Sequence, residues 1–214
     1  LGISNKKINI LNMSCYTREQ IEEVMKAKGY KYFTGGDYDV NIIGVRNSET
    51  KNKVTNKFDD CLTLSYKIDG EWQFHCFPCT TDPGTHWVEN VLNKNGVAIL
   101  KPGQYRGSHK LRLHAGKYLA LGQQKPVKVY RDNNRDDKYD LLEENVHEGI
   151  YGINIHRATS RAGGKSTQVD KWSAGCQVIA DNDDWHEFLD ICQIAREKWG
   201  NSFTYTLIDS SDIS

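Results

Sequence analysis

The chain predicts a mainly β fold with flanking helices, and three observations carry that expectation. Over residues 61–77, CLTLSYKIDGEWQFHCF, apolar and polar residues alternate with a period of two, and Asp69-Gly70 supplies a hairpin turn between the halves. Short runs rich in β-branched and aromatic residues, bounded by turn residues, recur through the middle of the chain. A helical period shows only in two segments, one near each end.

In chain order, KINILN (7–12) reads as a short strand. Thr17 and Gln20 form a capping box ahead of the helix EQIEEVMKAKG, whose apolar side is Ile21, Val24 and Met25 and which Gly29 ends. DVNIIGVRN (39–47) is a strand, and the charged turn SETKNKVTNKFDD leads into the hairpin. More strands follow: GVAILKPG (96–103), KLRLHAGKYLALGQ (110–123) with a turn at Ala115-Gly116, PVKVYRD (126–132) and GIYGINIH (149–156). RATSRAGGKSTQVDK (157–171) carries almost nothing apolar and reads as a long, exposed, mobile loop. Asp184 and Glu187 suggest a second capping box, and Trp185, Phe188, Leu189, Cys192, Ala195 and Trp199 recur at helical spacing, giving an amphipathic helix packed on the sheet. SFTYTLID closes the chain as a strand. A boundary near residue 35 separates a small strand–helix extension (1–35), independent or part of the same domain, from the main domain (36–214).

Lys plus Arg equals Asp plus Glu, 28 each, so no bulk basic charge points to nucleic acid as a partner. No apolar run is long enough to span a membrane, and no signal segment is visible. Six cysteines, at 15, 61, 76, 79, 176 and 192, are too few for a disulfide scaffold in a chain of 214 residues. Oligomeric state stays open.

WSAGCQV (172–178) draws attention because Cys176 follows a run of small residues. A thiol needs a base or a stabilised thiolate to act as a nucleophile, and it needs backbone N–H groups aimed at the oxyanion. Ser173, Ala174 and Gly175 leave room for a carbonyl to approach, and the amides of 174–176 could hold the charge. His156 is the candidate base. In YGINIH, Tyr151, Ile153 and Ile155 share one face of a strand, so Asn154 and His156 share the other. A buried structural thiol and a surface histidine remain the plainer alternatives.

YGINIHRATS…KWSAGCQV resembles the catalytic signature of the L,D-transpeptidases (YkuD-type), cysteine enzymes of the bacterial cell wall. CTTDPGTHW (79–87) is similar to that family's Thr-Pro-x-Gly turn. The resemblance spans roughly residues 60–208. It implies a curved mixed β-sheet or sandwich, His156 as general base and Cys176 as nucleophile, with Arg157 supplying the backbone carbonyl that orients the imidazole. Ser173, Ala174 and Gly175 would form the oxyanion turn, and Arg157, Tyr151, Asn154 and Trp172 would contact a peptidoglycan stem peptide. Three positions depart from the pattern: Ala174 replaces a second His, Gln177-Val178 replaces an apolar–Arg pair, and Arg157 stands in a Gly position. The implied reaction is acyl transfer through a Cys176 thioester. Hydrolysis of the same intermediate (L,D-carboxypeptidase or endopeptidase action) and a non-catalytic wall-binding domain are the alternatives. The implied location is the bacterial envelope or an extracellular or phage-encoded agent acting on the wall.

Other features compete. His75, Cys76, Cys79 and His86 suggest zinc, and Cys76–Cys79 a disulfide or redox pair, but ordinary packing thiols are the plainer reading; a Cys176–Cys192 disulfide would abolish the proposed chemistry. Asp132, Asn134, Asp136, Asp140 and Glu143 fall at calcium-loop positions, although Asp137 stands where that loop wants glycine. The expected cofactor is nonetheless none. His186 reads as the exposed side of the last helix, and His114 as groove-lining or merely beside a turn.

Overall fold

Asp69 and Gly70 both take positive φ, 51° and 83°, and fold β2 (Asp60–Ile68) onto β3 (Glu71–Thr80) in continuous antiparallel register. The alternation read from the sequence sets the faces. Leu62, Leu64 and Tyr66 point into the main core, while Cys61 points to the opposite side. The computed structural model describes residues 16–213, so the strand expected at 7–12 and Cys15 lie outside the described residues.

The hairpin belongs to an eight-stranded closed barrel whose other strands are β1 (Asn41–Arg46), β5 (Gly103–His114), β6 (Tyr118–Gln123), β9 (Ile155–Arg157), β10 (Gln177–Ile179) and β11 (Phe203–Asp209). The order is β1-β11-β5-β6-β9-β10-β3-β2, with parallel pairs at β1–β11 and β9–β10 and antiparallel pairs elsewhere. A separate antiparallel sheet of β4 (Val97–Leu100), β7 (Val127–Asp132) and β8 (Val146–Gly149) packs Ala98, Leu100, Val127 and Val129 into the same core. The architecture is thus mainly β, with a mixed sheet and a helix near the C-terminus.

Helix α1 (Arg18–Ala27) starts at the expected capping box and buries Ile21, Val24 and Met25 against Ile43, Val45 and Ile208. The short α2 (Thr85–Glu89) follows the turn after β3. Helix α3 (Asn182–Trp199) lays Trp185, Phe188, Ile191, Cys192 and Ala195 on the main core, each large side chain contributing about 1.5–3 kcal/mol of burial. Its cap is Asp181, which accepts the Asp183 N–H, so the box expected at Asp184 and Glu187 lies inside the helix. Among the described residues no helix is long and apolar enough to cross a membrane.

Three further expectations need correction. The strand expected over 149–156 is split: β8 ends at Gly149, β9 begins at Ile155, and Gly152 sits at φ 74° between them. There the N–H groups of Tyr151 and Ile153 donate to the Gln123 side-chain oxygen (3.1 and 2.9 Å) instead of to a neighbouring strand. The loop 157–171 is anchored rather than free. Ala158 and Val169 are buried with Phe58, Val178 and Ala180, and backbone bonds tie Ser166 to Ala180 and Val169 to Asn56. Finally, Cys76 is bonded to Cys61, so it is neither a packing thiol nor a partner of Cys79. Positions three apart on a strand face opposite sides, so Cys76 lies on the α1 side and Cys79 in the main core. Cys79, Cys176 and Cys192 are free thiols.

Candidate active site

The parallel register of β9 and β10 sets Val178 beside His156 and Gln177 beside Ile155. Ile155 and Ile179 face the core, so His156 and Val178 face away from it. Cys176 directly precedes β10, and the Gln177 N–H bonds the Asn154 carbonyl at 2.9 Å, which brings the thiol alongside the Asn154–His156 segment. The two elements therefore meet at the residues the sequence singled out.

His156 is 5% exposed and donates Nδ1–H to the Arg157 carbonyl at 2.9 Å, which leaves Nε2 as the basic nitrogen. Burial lowers its pKa to about 4, against a raise from the bond to the Arg157 carbonyl, and the nearby His114 adds a smaller lowering. The two imidazoles stack at 4.4 Å between centroids; no local pattern announces this pairing, because His114 ends β5, far away in the chain. Asn154 fixes His114: its side-chain oxygen accepts the Gln123 N–H at 2.9 Å, and its amide donates to His114 Nδ1 at 3.3 Å. The Arg157 guanidinium lies 4.3 Å over the Tyr118 ring.

The thiol is held in its neutral state. Cys176 Sγ donates to the Gly152 carbonyl at 3.2 Å, and burial pushes its pKa up to about 11, against a smaller lowering by the Asn154 backbone. Among the described residues no hydrogen bond joins it directly to His156. The resting pair is neutral thiol and neutral imidazole, so proton transfer must accompany bond formation.

Local bonds set the shape of the turn. The buried Ser173 hydroxyl donates to the Cys176 carbonyl at 2.7 Å and accepts the Gly175 N–H at 3.1 Å. Its carbonyl accepts the Gly84 N–H at 2.9 Å, tying the 79–87 turn to the nucleophile turn. Gly175 has φ 124°, and a Cβ there would meet the Ala98 carbonyl at 2.3 Å. Because Ser173 occupies the Gly175 amide, the Ala174 and Cys176 N–H groups are the two of the expected trio that have no partner among the described residues and can receive an oxyanion. Gln177 bonds the Thr81 and Gly175 carbonyls (both 3.3 Å) and accepts from the Tyr205 hydroxyl at 2.7 Å.

Cavities lie on two sides. One of about 360 Å³ is lined by Ala174, Tyr151, Trp87 and Arg131 among others. A smaller one, about 150 Å³, is lined by His114, Asn154 and Arg112 among others. Trp172 is half exposed beside the turn, its N–H bonded to the Val169 carbonyl. Sequence reasoning missed His109, whose imidazole bonds the Ile153 carbonyl at 2.8 Å and so steadies the segment leading to His156. It also missed Gln123 and Arg131. None belongs to a local motif; each reaches the site across strands.

The metal readings do not match the geometry. Cys76 is consumed in a disulfide, and His75 faces Tyr66 and Glu187. In the acidic loop, Asn134 donates to Asp136 and Asp140, Asp132 accepts the Asn134 and Asp140 amides, and Glu143 is paired to Lys101. Among the described residues no group of three or more His, Cys, Asp or Glu is placed to hold a metal ion. Set against family models, curated proteins and solved structures, the chain matches none of them.

Proposed function

We propose that this protein is a cysteine acyltransferase of the L,D-transpeptidase type, acting on peptidoglycan stem peptides at the bacterial cell wall. The observation that carries the reading is the His156 imidazole. It is anchored through Nδ1 on the Arg157 carbonyl and presents Nε2 on the same side of the sheet as the Cys176 turn. In the reaction, Nε2 removes the thiol proton as sulfur bonds the peptide carbonyl carbon. The Ala174 and Cys176 N–H groups receive the oxyanion. Collapse breaks the C–N bond, the leaving amine takes the proton from His156, and a thioester remains. An acceptor amine or water then attacks that thioester, with His156 again as base. The Cys61–Cys76 disulfide supports a site of action in an oxidising, extracellular compartment.

The test is mass spectrometry of muropeptides incubated with wild type, Cys176→Ala and His156→Ala. The expected outcome is exchange or cleavage by wild type and inertness of both variants. Wild-type rates in Cys176→Ala would overturn the mechanism. A second reading, a wall-binding domain without turnover, is favoured by the thiol's bond to Gly152 rather than to His156. It predicts binding with no product from any of the three proteins.

A further inference from the structure

The inward face of the small sheet carries Val127 and Val129 into the core, and the next residue on that face of β7 is Arg131. A cation in an apolar row is costly unless something pairs it. Among the described residues no carboxylate lies within ion-pair distance of Arg131. Its guanidinium sits 4.7 Å over the Tyr151 ring and donates from one Nη to the Gly96 carbonyl at 3.0 Å. Its Nε is buried and has no hydrogen-bond partner among the described residues. Ala98, its register partner on β4, supplies the carbonyl against which Gly175 packs. Arg131 thus lines the 360 Å³ cavity together with Ala174, one of the two free oxyanion donors, while Trp87, Leu92 and Ile150 give that cavity apolar walls.

We propose that Arg131 is a specificity-determining residue that receives a carboxylate of the substrate peptide close to the scissile carbonyl. The inference rests on Cys176 being the nucleophile. The apolar walls take the aliphatic part of the residue that carries the carboxylate, and the guanidinium fork takes its charge. A neutral peptide of the same shape would leave the buried Nε unpaired. The substrate class is therefore a short peptide with a free carboxylate next to the bond under attack, rather than one amidated there.

The experiment measures calorimetric binding, so it does not depend on turnover. Cys176→Ala protein is titrated with the peptide L-Ala-γ-D-Glu-L-Lys-D-Ala and with two analogues, one amidated at its C-terminus and one at the glutamyl α-carboxylate. Amidation of the C-terminus, the carboxylate next to the bond under attack, is expected to weaken binding about tenfold or more, and amidation of the glutamyl carboxylate alone is expected to leave it unchanged. That preference should vanish in Cys176→Ala/Arg131→Gln and shrink in Cys176→Ala/Arg131→Lys, which keeps the charge without the fork and serves if the glutamine variant does not fold. Equal binding of all three peptides, or a preference that survives removal of Arg131, would overturn the proposal. If carboxylate preference appears but wild type yields no product, the catalytic reading fails while the Arg131 site stands.

Discussion

His156 works as a base only while neutral, and its surroundings keep it so. Burial is the largest cause and the bond to the Arg157 carbonyl opposes it; His114 from β5 adds a smaller lowering, because an imidazolium at one ring disfavours a second charge at its stacked neighbour. The Tyr118 ring packs against His114 with the Arg157 guanidinium over it, and its own titration feels Cys176. With a pKa of about 4, His156 is deprotonated throughout the neutral range, and activity is lost only as acid approaches that value. His114→Phe keeps a stacked ring and removes its charge. The expected result is a His156 titration, followed by NMR, that rises from about 4 yet stays below 6.5 because burial remains. The acid limb of kcat/KM should move with it. An unchanged or lowered value would show that His114 only fills space.

At the level of the element, the nucleophile turn depends on a glycine that no other residue can replace. Gly175 combines φ 124° with a Cβ position 2.3 Å from the Ala98 carbonyl, so the small sheet and the turn can approach only without a side chain. Gly175→Ala should cost about 1–3 kcal/mol of local strain. It should also displace the Ala174 and Cys176 amides, lowering kcat/KM about 100-fold. Paired thermal melts and single-turnover kinetics check this, and a variant with wild-type melting and turnover would contradict it. The small-Gly-Cys pattern was legible in the sequence because its chemistry is local. So were the β2–β3 hairpin at Asp69-Gly70 and the capping box at Thr17 and Gln20. What failed was non-local. The 150–154 segment alternates like a strand, but Gln123 and His109 claim its backbone groups from other strands. The 157–171 loop looked free because its two buried anchors, Ala158 and Val169, are sparse. Cys61 pairs with Cys76 because strand register brings their sides together, which the Cys-x-x-Cys spacing concealed.

Across the whole molecule, barrel closure joins β1 to β11 in parallel, a contact between the two ends of the described chain that no local pattern encodes. Closure also buries Arg46 between two carboxylates. Asp60 accepts the N–H groups of Asn47 and Thr81 and the Thr81 hydroxyl, at 2.7, 2.6 and 2.8 Å, which suits an ionised group. Asp82 lies 2.9 Å from Arg46 Nε, but the contact is misaligned, and among the described residues its Oδ1 has no hydrogen-bond partner. One cation cannot neutralise both acids, so burial, opposed by Arg46 and aided by Asp60, pushes Asp82 up to about 7. The unfolded carboxyl releases its proton near 3.8, while the folded one holds it to about 7. Between those values the folded state binds more protons, and the contribution of Asp82 to stability falls as pH rises. This runs opposite to an acid paired in good geometry. Urea unfolding at about pH 4.5 and pH 7.5 should show wild type losing stability across the window relative to Asp82→Asn, whose neutral amide removes that dependence. The network also reaches the active site: Arg46 donates to the hydroxyl and carbonyl oxygens of Thr81, and the Thr81 carbonyl accepts from Gln177, which holds the Gly175 carbonyl. If the pH slopes of the two proteins are parallel, Asp82 is ionised in the fold and Arg46 carries both acids.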